Sequence, residues 1–254
     1  MSPIRPIPDY LLAGAKHLLQ DFLPPYCLVC RQRCTQLTPL CVHCLDKVDL
    51  NLYPCPRCAL PSGKMRSGCK CASQRTFLDS LSVPLLYTDV LRQLIYQWKF
   101  RGRVELTQTL VNLACHEKPP ASIEGRTGPV DLVVPVGMHW RARLKRGFNQ
   151  SHLLALALSS TLACPTKPPV KALLKAASRS TSQHALSRTD RLENALQQFS
   201  VKQDLKSHRI LLVDDVMTTG ATMENAAWAL REAGARRVHG WCLARSIEPG
   251  GAGV

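Results

Sequence analysis

The chain has 254 residues, enough for one large domain or two modest ones, and its apolar content of 45% is that of a folded protein rather than a disordered tail. Its 33 basic against 18 acidic side chains give a formal charge of +15, an excess that attracts polyanions such as nucleic acid or a pyrophosphate-bearing substrate. No window approaches the roughly 18 consecutive apolar residues of a membrane span, and Asp9, Lys16, His17 and Asp21 interrupt the apolar core that a secretory signal needs, so a cytoplasmic protein without membrane insertion is expected.

Residues 10–22 place Leu11, Leu12, Ala15, Leu18, Leu19 and Phe22 on one helical face, with Asp9 as a cap. Nine cysteines follow within 45 residues. Cys27-x-x-Cys30, Cys41-x-x-Cys44 and Cys55-x-x-Cys58 have the spacing that sets two sulfurs on one metal ion, and Cys69-Lys70-Cys71 is a shortened fourth pair. A disulfide scaffold would need an oxidising compartment. An iron–sulfur cluster would accept the same thiolates, but separated pairs with basic residues between them suit structural Zn²⁺, one or two ions, better. The preferred pairing is sequential, with Cys27, Cys30, Cys41 and Cys44 at one ion and Cys55, Cys58, Cys69 and Cys71 at the other; an interleaved scheme is also open. Cys34 is left over. Each Zn²⁺ with four thiolates carries a net charge of −2, so two sites would lower the chain to about +11.

Residues 73–79 carry no cysteine and few apolar positions, which predicts three parts: an N-terminal helix with a cysteine-rich zinc-ribbon module over 1–79, a second domain over 80–246, and a frayed tail over 247–254. In the second domain, 81–87 reads as a strand whose Pro84 suits a sheet edge. A helix is expected from Val90, with Leu91, Leu94, Ile95 and Trp98 on one side, ending in Lys99-Phe100-Arg101-Gly102-Arg103. Trp98 and Phe100 are read as packing residues, although the interleaved cations leave base stacking open. A helix over 104–115, a loop over 117–129 and a buried strand over 131–136 follow. Arg141, Arg143, Lys145 and Arg146 lie just past that strand's carboxyl end, where ligands of open parallel sheets bind and where cations could meet a pyrophosphate. Arg146-Gly147-Phe148-Asn149-Gln150 precedes a helix over 151–162, and 170–174 reads as a short strand. The polar residues 175–193, including Arg179, Thr181, Gln183, Arg188 and Arg191, could form a lid that closes over an anionic substrate.

The apolar run Ile210-Leu211-Leu212-Val213 reads as a strand buried on both faces that stops at Asp214-Asp215. The small turn Thr218-Thr219-Gly220-Ala221-Thr222 follows, then a helix over 223–233 closed by Gly234, and a last strand over 237–243. A helix start offers unpaired N–H groups and positive potential, so it fits a phosphate monoester. Gly220 allows close backbone approach, and Thr218, Thr219 and Thr222 add hydroxyls. Two carboxylates one turn earlier could accept hydrogen bonds from the vicinal hydroxyls of a ribose. Strands alternating with helices predict an α/β fold with a parallel sheet covered on both faces.

The string from Val213 to Thr222 resembles the phosphoribosyl pyrophosphate (PRPP) motif of type I phosphoribosyltransferases. Taken with the cysteine pairs, Lys99-Phe100-Arg101-Gly102 and Arg146-Gly147-Phe148-Asn149-Gln150, the chain resembles the ComF family, of which GntX proteins are a close branch. Thr181, Gln183, Arg191 and Asn194 fit that family's lid pattern, whereas Cys69-Lys70-Cys71 departs from its commoner two-residue spacer. The resemblance covers nearly the whole chain. It implies a zinc-ribbon module joined to a phosphoribosyltransferase-like domain, and a role in DNA uptake, natural transformation or use of external DNA. Two functions are compatible with it. In one, an enzyme displaces pyrophosphate from Mg²⁺-PRPP by pentosyl transfer to an unknown acceptor, with Asp214 and Asp215 as catalytic residues. In the other, the fold binds PRPP or single-stranded DNA without catalysis and docks proteins of the uptake machinery.

Overall fold

A computed structural model describes residues 26–34, 39–61, 71, 76–116, 129–138, 143–144, 146–162, 169–173, 175–176 and 199–247. The expected helix over 10–22 and the lid residues Arg179, Thr181, Gln183, Arg188 and Arg191 lie outside them, as do Arg141, Lys145 and Cys69. The chain forms two compact units, 1–48 and 49–254.

The smaller unit contains a cysteine knuckle in which the Cys27 amide donates to the Gln32 carbonyl (2.8 Å) and the Arg31 amide to the Cys27 carbonyl (3.0 Å). Arg31 adopts φ +63° to close this turn, and Tyr26 bridges Arg33 across it. A single-turn helix α1 (Val42–Leu45) begins directly after Cys41 and carries Cys44.

In the larger unit the same turn recurs. The Cys55 amide meets the Leu60 carbonyl (2.8 Å), the Ala59 amide meets the Cys55 carbonyl (2.9 Å), Ala59 has φ +55°, and Pro54 bridges Pro61. Buried Asn51 fastens this knuckle to the sheet: its Nδ2 donates to the carbonyls of Ala59 (2.9 Å) and Val83 (3.0 Å), and its amide to that of Pro84 (2.7 Å). The expected module boundary at residue 79 therefore differs from the contact division at 48/49, because residues 49–61 bond to the first strands of the sheet.

The other elements are β1 (Ser80–Ser82), β2 (Leu85–Leu86), α2 (Asp89–Phe100), α3 (Leu106–His116), β3 (Leu132–Pro135), α4 (Gln150–Thr161), β4 (Lys175–Ala176), β5 (Phe199–Ser200), β6 (Arg209–Met217), α5 (Ala221–Glu232) and β7 (Arg237–Arg245). The main sheet has the order β1-β7-β6-β3, with β2 continuing beside β7, and every pair in it is parallel. Pro84 falls where β1 and β2 separate, at the edge the sequence assigned to it. Of the expected strand over 170–174, residue 174 lies outside the described residues and Val170 forms a bridge with Val133; β4 and β5 form a small antiparallel pair.

One expectation is corrected. The β6 strand does not stop at the acids but runs through Asp214 and Asp215 to Met217, because β7 stays in register beside it out to Met217↔Arg245. Its neighbours, rather than its own composition, carry the last turn of pairing.

Strand alternation distributes the core. Ile210 and Leu212 share an apolar cluster with Val134, Val238 and the α5 residues Met223, Ala226, Ala227 and Leu230. The intervening Leu211 and Val213 point to the other face, where α4 packs against β3 and β6. Among the described residues no helix is long and apolar enough to cross a membrane.

Candidate functional site

Because β3 and β6 run parallel with Pro135 opposite Val213, the segment after β3 and the two acids share the carboxyl edge of the sheet. Asp214 Oδ1 accepts from the Asp215 amide and from Ser151 Oγ, both at 2.9 Å. Asp215 accepts a salt bridge from Lys99 Nζ at 2.7 Å, with the two side chains only 14% and 15% exposed, and its Oδ1 also accepts from the Val216 amide. Burial first, and then the charge of Asp215, push the Asp214 carboxyl up to about 7; the Asp215 amide, the Ser151 hydroxyl and Lys99 oppose that rise. Near neutrality this group can therefore change charge when a cation or a hydroxylated ligand arrives.

The turn after β6 has the features of a helix start that could take an anion. Gly220 has φ +89° and caps α5 without a side-chain hydrogen bond; the Glu224 amide closes the first turn on the Gly220 carbonyl (3.0 Å) and that of Ala221 reaches Thr219 Oγ1 (3.3 Å), while the intervening amides have no acceptor within the helix. Thr218, Thr219 and Thr222 are exposed there. The start of α5 is fixed from outside the turn: Glu224 accepts from Thr76 Oγ1 (2.6 Å) and from the Phe77 amide (2.8 Å). Further along, Arg231 pairs with Asp79.

The two sequence blocks between the cysteines and β6 meet in space. Arg146 stacks over Phe100 at 5.2 Å and donates to Gln150 Oε1 (3.3 Å), while Phe148 packs on Trp98 at 6.4 Å. Asn149 caps α4 through the Ser151 amide (3.0 Å) and donates to the Val136 carbonyl (3.2 Å). Trp98 is fully buried as expected, with its Nε1 on Thr107 (3.0 Å). Phe100 is not: it is 54% exposed and pairs with Tyr96, itself 52% exposed, at 5.3 Å. Arg143 is exposed in the segment after β3. Sequence reasoning did not assign Lys99 or Ser151 to the site, although Lys99 opens the first of these blocks and Ser151 directly follows the second.

The cysteines form two groups. The sulfurs of Cys27, Cys30, Cys41 and Cys44 all lie within 4.8 Å of one another, as do those of Cys55, Cys58 and Cys71. The Cys30–Cys41 and Cys55–Cys71 sulfur separations are both 3.6 Å. A disulfide would need about 2.05 Å, whereas tetrahedral thiolates at Zn–S distances of about 2.3 Å lie about 3.8 Å apart, so both groups could hold a metal ion such as zinc. Against the burial that would raise it, the amides of Cys30, Cys41 and Val29 bring the Cys27 thiol down to about 6. Burial is likewise outweighed at Cys55 by the amides of Cys58 and Arg57, giving about 7. Each knuckle thus favours one thiolate before any metal binds. Four thiolates leave no open coordination position, so a metal held by the first group would serve structure rather than catalysis.

A phosphoribosyl transferase domain model matches residues 149–251. DNA utilization protein YhgH of Salmonella typhi is 30% identical over 227 residues, spanning 89% of this chain and 99% of that protein. Competence protein F of Haemophilus influenzae is 27% identical over 236 residues, covering 92% of this chain and 94% of its own. Competence protein ComFC of Bacillus subtilis is 28% identical over 218 residues, with 82% and 84% coverage.

Proposed function

The chain belongs to the ComF family, and on that footing we propose that it binds PRPP with Mg²⁺ at the β6–α5 turn and acts in the uptake or use of external DNA. The supporting observation is the pair Asp214 and Asp215 at the carboxyl end of β6, braced by Lys99 and Ser151 and followed by the uncapped start of α5 at Gly220. Asp214 and Asp215 accept the ribose hydroxyls. The amides and hydroxyls of Thr218, Thr219, Gly220, Ala221 and Thr222 hold the 5′-phosphate. Arg141, Arg143, Lys145 and Arg146, with Arg179, Thr181, Gln183, Arg188 and Arg191 closing above, meet the pyrophosphate. Mg²⁺ arriving with PRPP neutralises pyrophosphate charge. In turnover, these side chains would stabilise the departing pyrophosphate and the cation-like sugar while an acceptor attacks. Zinc at the two cysteine groups fixes structure.

Calorimetry with PRPP plus Mg²⁺ tests the site. Heat of binding is expected for the wild type and not for the double variant Asp214→Asn/Asp215→Asn; no heat in either would sink the proposal.

A second reading has its own support. The exposed rings of Tyr96 and Phe100, with Arg146 over Phe100 and Arg101 exposed beside them, form a surface on which single-stranded DNA can stack without catalysis. Oligonucleotide affinity should then fall steeply as salt rises, and a flat salt response would count against it.

A further inference from the structure

Arg245 ends β7 and is only 5% exposed, and its guanidinium joins two parts of the larger unit that the sequence keeps far apart. Nε donates to the Cys58 carbonyl at 2.9 Å. On its other side, Nη1 faces the carbonyls of Met217 (3.0 Å), Thr218 and Ser246 (2.8 Å). Met217 and Thr218 are the residues at which β6 leaves the sheet and enters the turn. The backbone of the same residue is also fixed, because its carbonyl accepts from the Tyr87 amide (2.8 Å) and Ser246 bonds back to the Met217 carbonyl (2.9 Å).

We propose that Arg245 is a positioning residue that couples metal occupancy of the Cys55–Cys58–Cys71 group to the geometry of the phosphate turn. A guanidinium is planar and its donors are fixed in direction, so it can hold two backbone segments at one spacing only while both carbonyls stay in place. The Cys58 carbonyl belongs to a knuckle closed by Ala59 in a left-handed conformation, which costs energy for a residue with a Cβ. A metal bound by the three sulfurs fixes Cys58 from its side chain, and Asn51 fixes the following residue through the Ala59 carbonyl. When the metal leaves, that strained turn relaxes and the Cys58 carbonyl turns away from Nε. The guanidinium then loses one of its anchors, and the Met217 and Thr218 carbonyls lose the donor that sets how β6 passes into the anion-binding turn. Arg245 thus carries a structural ion's state to a ligand site. The consequence for PRPP rests on the function proposed above; the coupling itself does not.

The test is hydrogen exchange on the full chain, metal-loaded and after chelation, followed by mass spectrometry over the peptide spanning 216–222. Losing charge-assisted hydrogen bonds at the turn should speed its exchange about tenfold on stripping. The peptides of β3 and of α4 should hold their protection. In Arg245→Met the turn should exchange fast already and gain nothing further on stripping, and Arg245→Lys, which keeps the charge but cannot reach both segments, should behave in the same way. Unchanged exchange at 216–222 on metal removal, or a rise spread evenly over the sheet, would overturn the coupling. Calorimetry with PRPP plus Mg²⁺ on the same samples gives the functional arm: the stripped wild type should bind about tenfold more weakly, by the same loss of turn geometry. Absence of PRPP binding by the loaded wild type would defeat the proposed function while leaving the exchange result to decide the coupling.

Discussion

Replacing Asp214 by asparagine should stabilise the protein at alkaline pH and hardly at all in mild acid. In the unfolded chain this carboxyl ionises near 4, whereas in the fold it holds its proton to about 7. Between those values folding takes up a proton, so raising the pH weakens the fold, and above 7 the full cost of a buried charge is present. That cost is about 4 kcal/mol at pH 8 and about 1–2 kcal/mol at pH 5. The asparagine oxygen keeps both hydrogen bonds, from the Asp215 amide and the Ser151 hydroxyl, while its amide nitrogen replaces an acceptor at a cost of about 1 kcal/mol. D214N should therefore exceed the wild type by about 3 kcal/mol at pH 8 and by less than about 1 kcal/mol at pH 5. Urea unfolding of both proteins at the two pH values measures the difference directly. A stability gap that is the same at pH 5 and pH 8 would refute the assignment of the raised ionisation to Asp214. If the site proposed above holds PRPP, the same variant should lose PRPP affinity, and stability and binding would then pull in opposite directions at this position.

Other substitutions probe the surroundings of that carboxyl. Lys99→Met should destabilise the protein by about 2 kcal/mol at pH 8, because it leaves Asp215 charged and unpaired beside Asp214; denaturation showing no loss there would mean the ion pair adds nothing. Gly220→Ala should cost about 1–2 kcal/mol in thermal or urea unfolding, since φ +89° disfavours any Cβ, while the close approach of that Cβ to the tip of Met217 can relax. Arg209→Ala should cost about 1 kcal/mol at pH 7, because Arg209 bonds Asp131 through Nε (3.1 Å) and Nη2 (3.0 Å) and holds its carboxyl below the usual range. That contribution is present above the unfolded carboxylate range and fades as pH falls through the depressed value, so the two proteins should converge in strong acid.

The parts of the fold that depend on local pattern were legible in the sequence. Unbroken apolar runs marked β3 and β6, helical spacing marked α2 and α4, and cysteine intervals brought out two groups of sulfurs. What escaped is set by partners distant in the chain. The passage of β6 through two carboxylates could not be read from their own poor strand propensity, because it depends on the register with β7. Lys99 lies more than a hundred residues before Asp215, and nothing local distinguishes it from the arginines beside it, yet it is the cation that reaches the acid. Phe100 and Trp98 look alike as sequence but part company on one helix, since a two-residue step turns the side chain through more than half a turn and moves it from core to surface.

The two knuckles at Cys27 and Cys55 are copies at a constant offset of 28 positions, from Tyr26 and Pro54 through Arg31 and Ala59 to Arg33 and Pro61. Arginine and alanine share the same left-handed backbone there although their side chains have nothing in common. The two turns thus share their cysteine spacing and amide bonds whatever side chain stands at the left-handed position. Such a turn behaves as a portable part: one copy lies in the smaller unit, and the other, given Asn51 and Arg245 as neighbours, becomes a fitting of the larger one. Exchanging the residues between the cysteines of a knuckle should matter less than exchanging what grips it from outside.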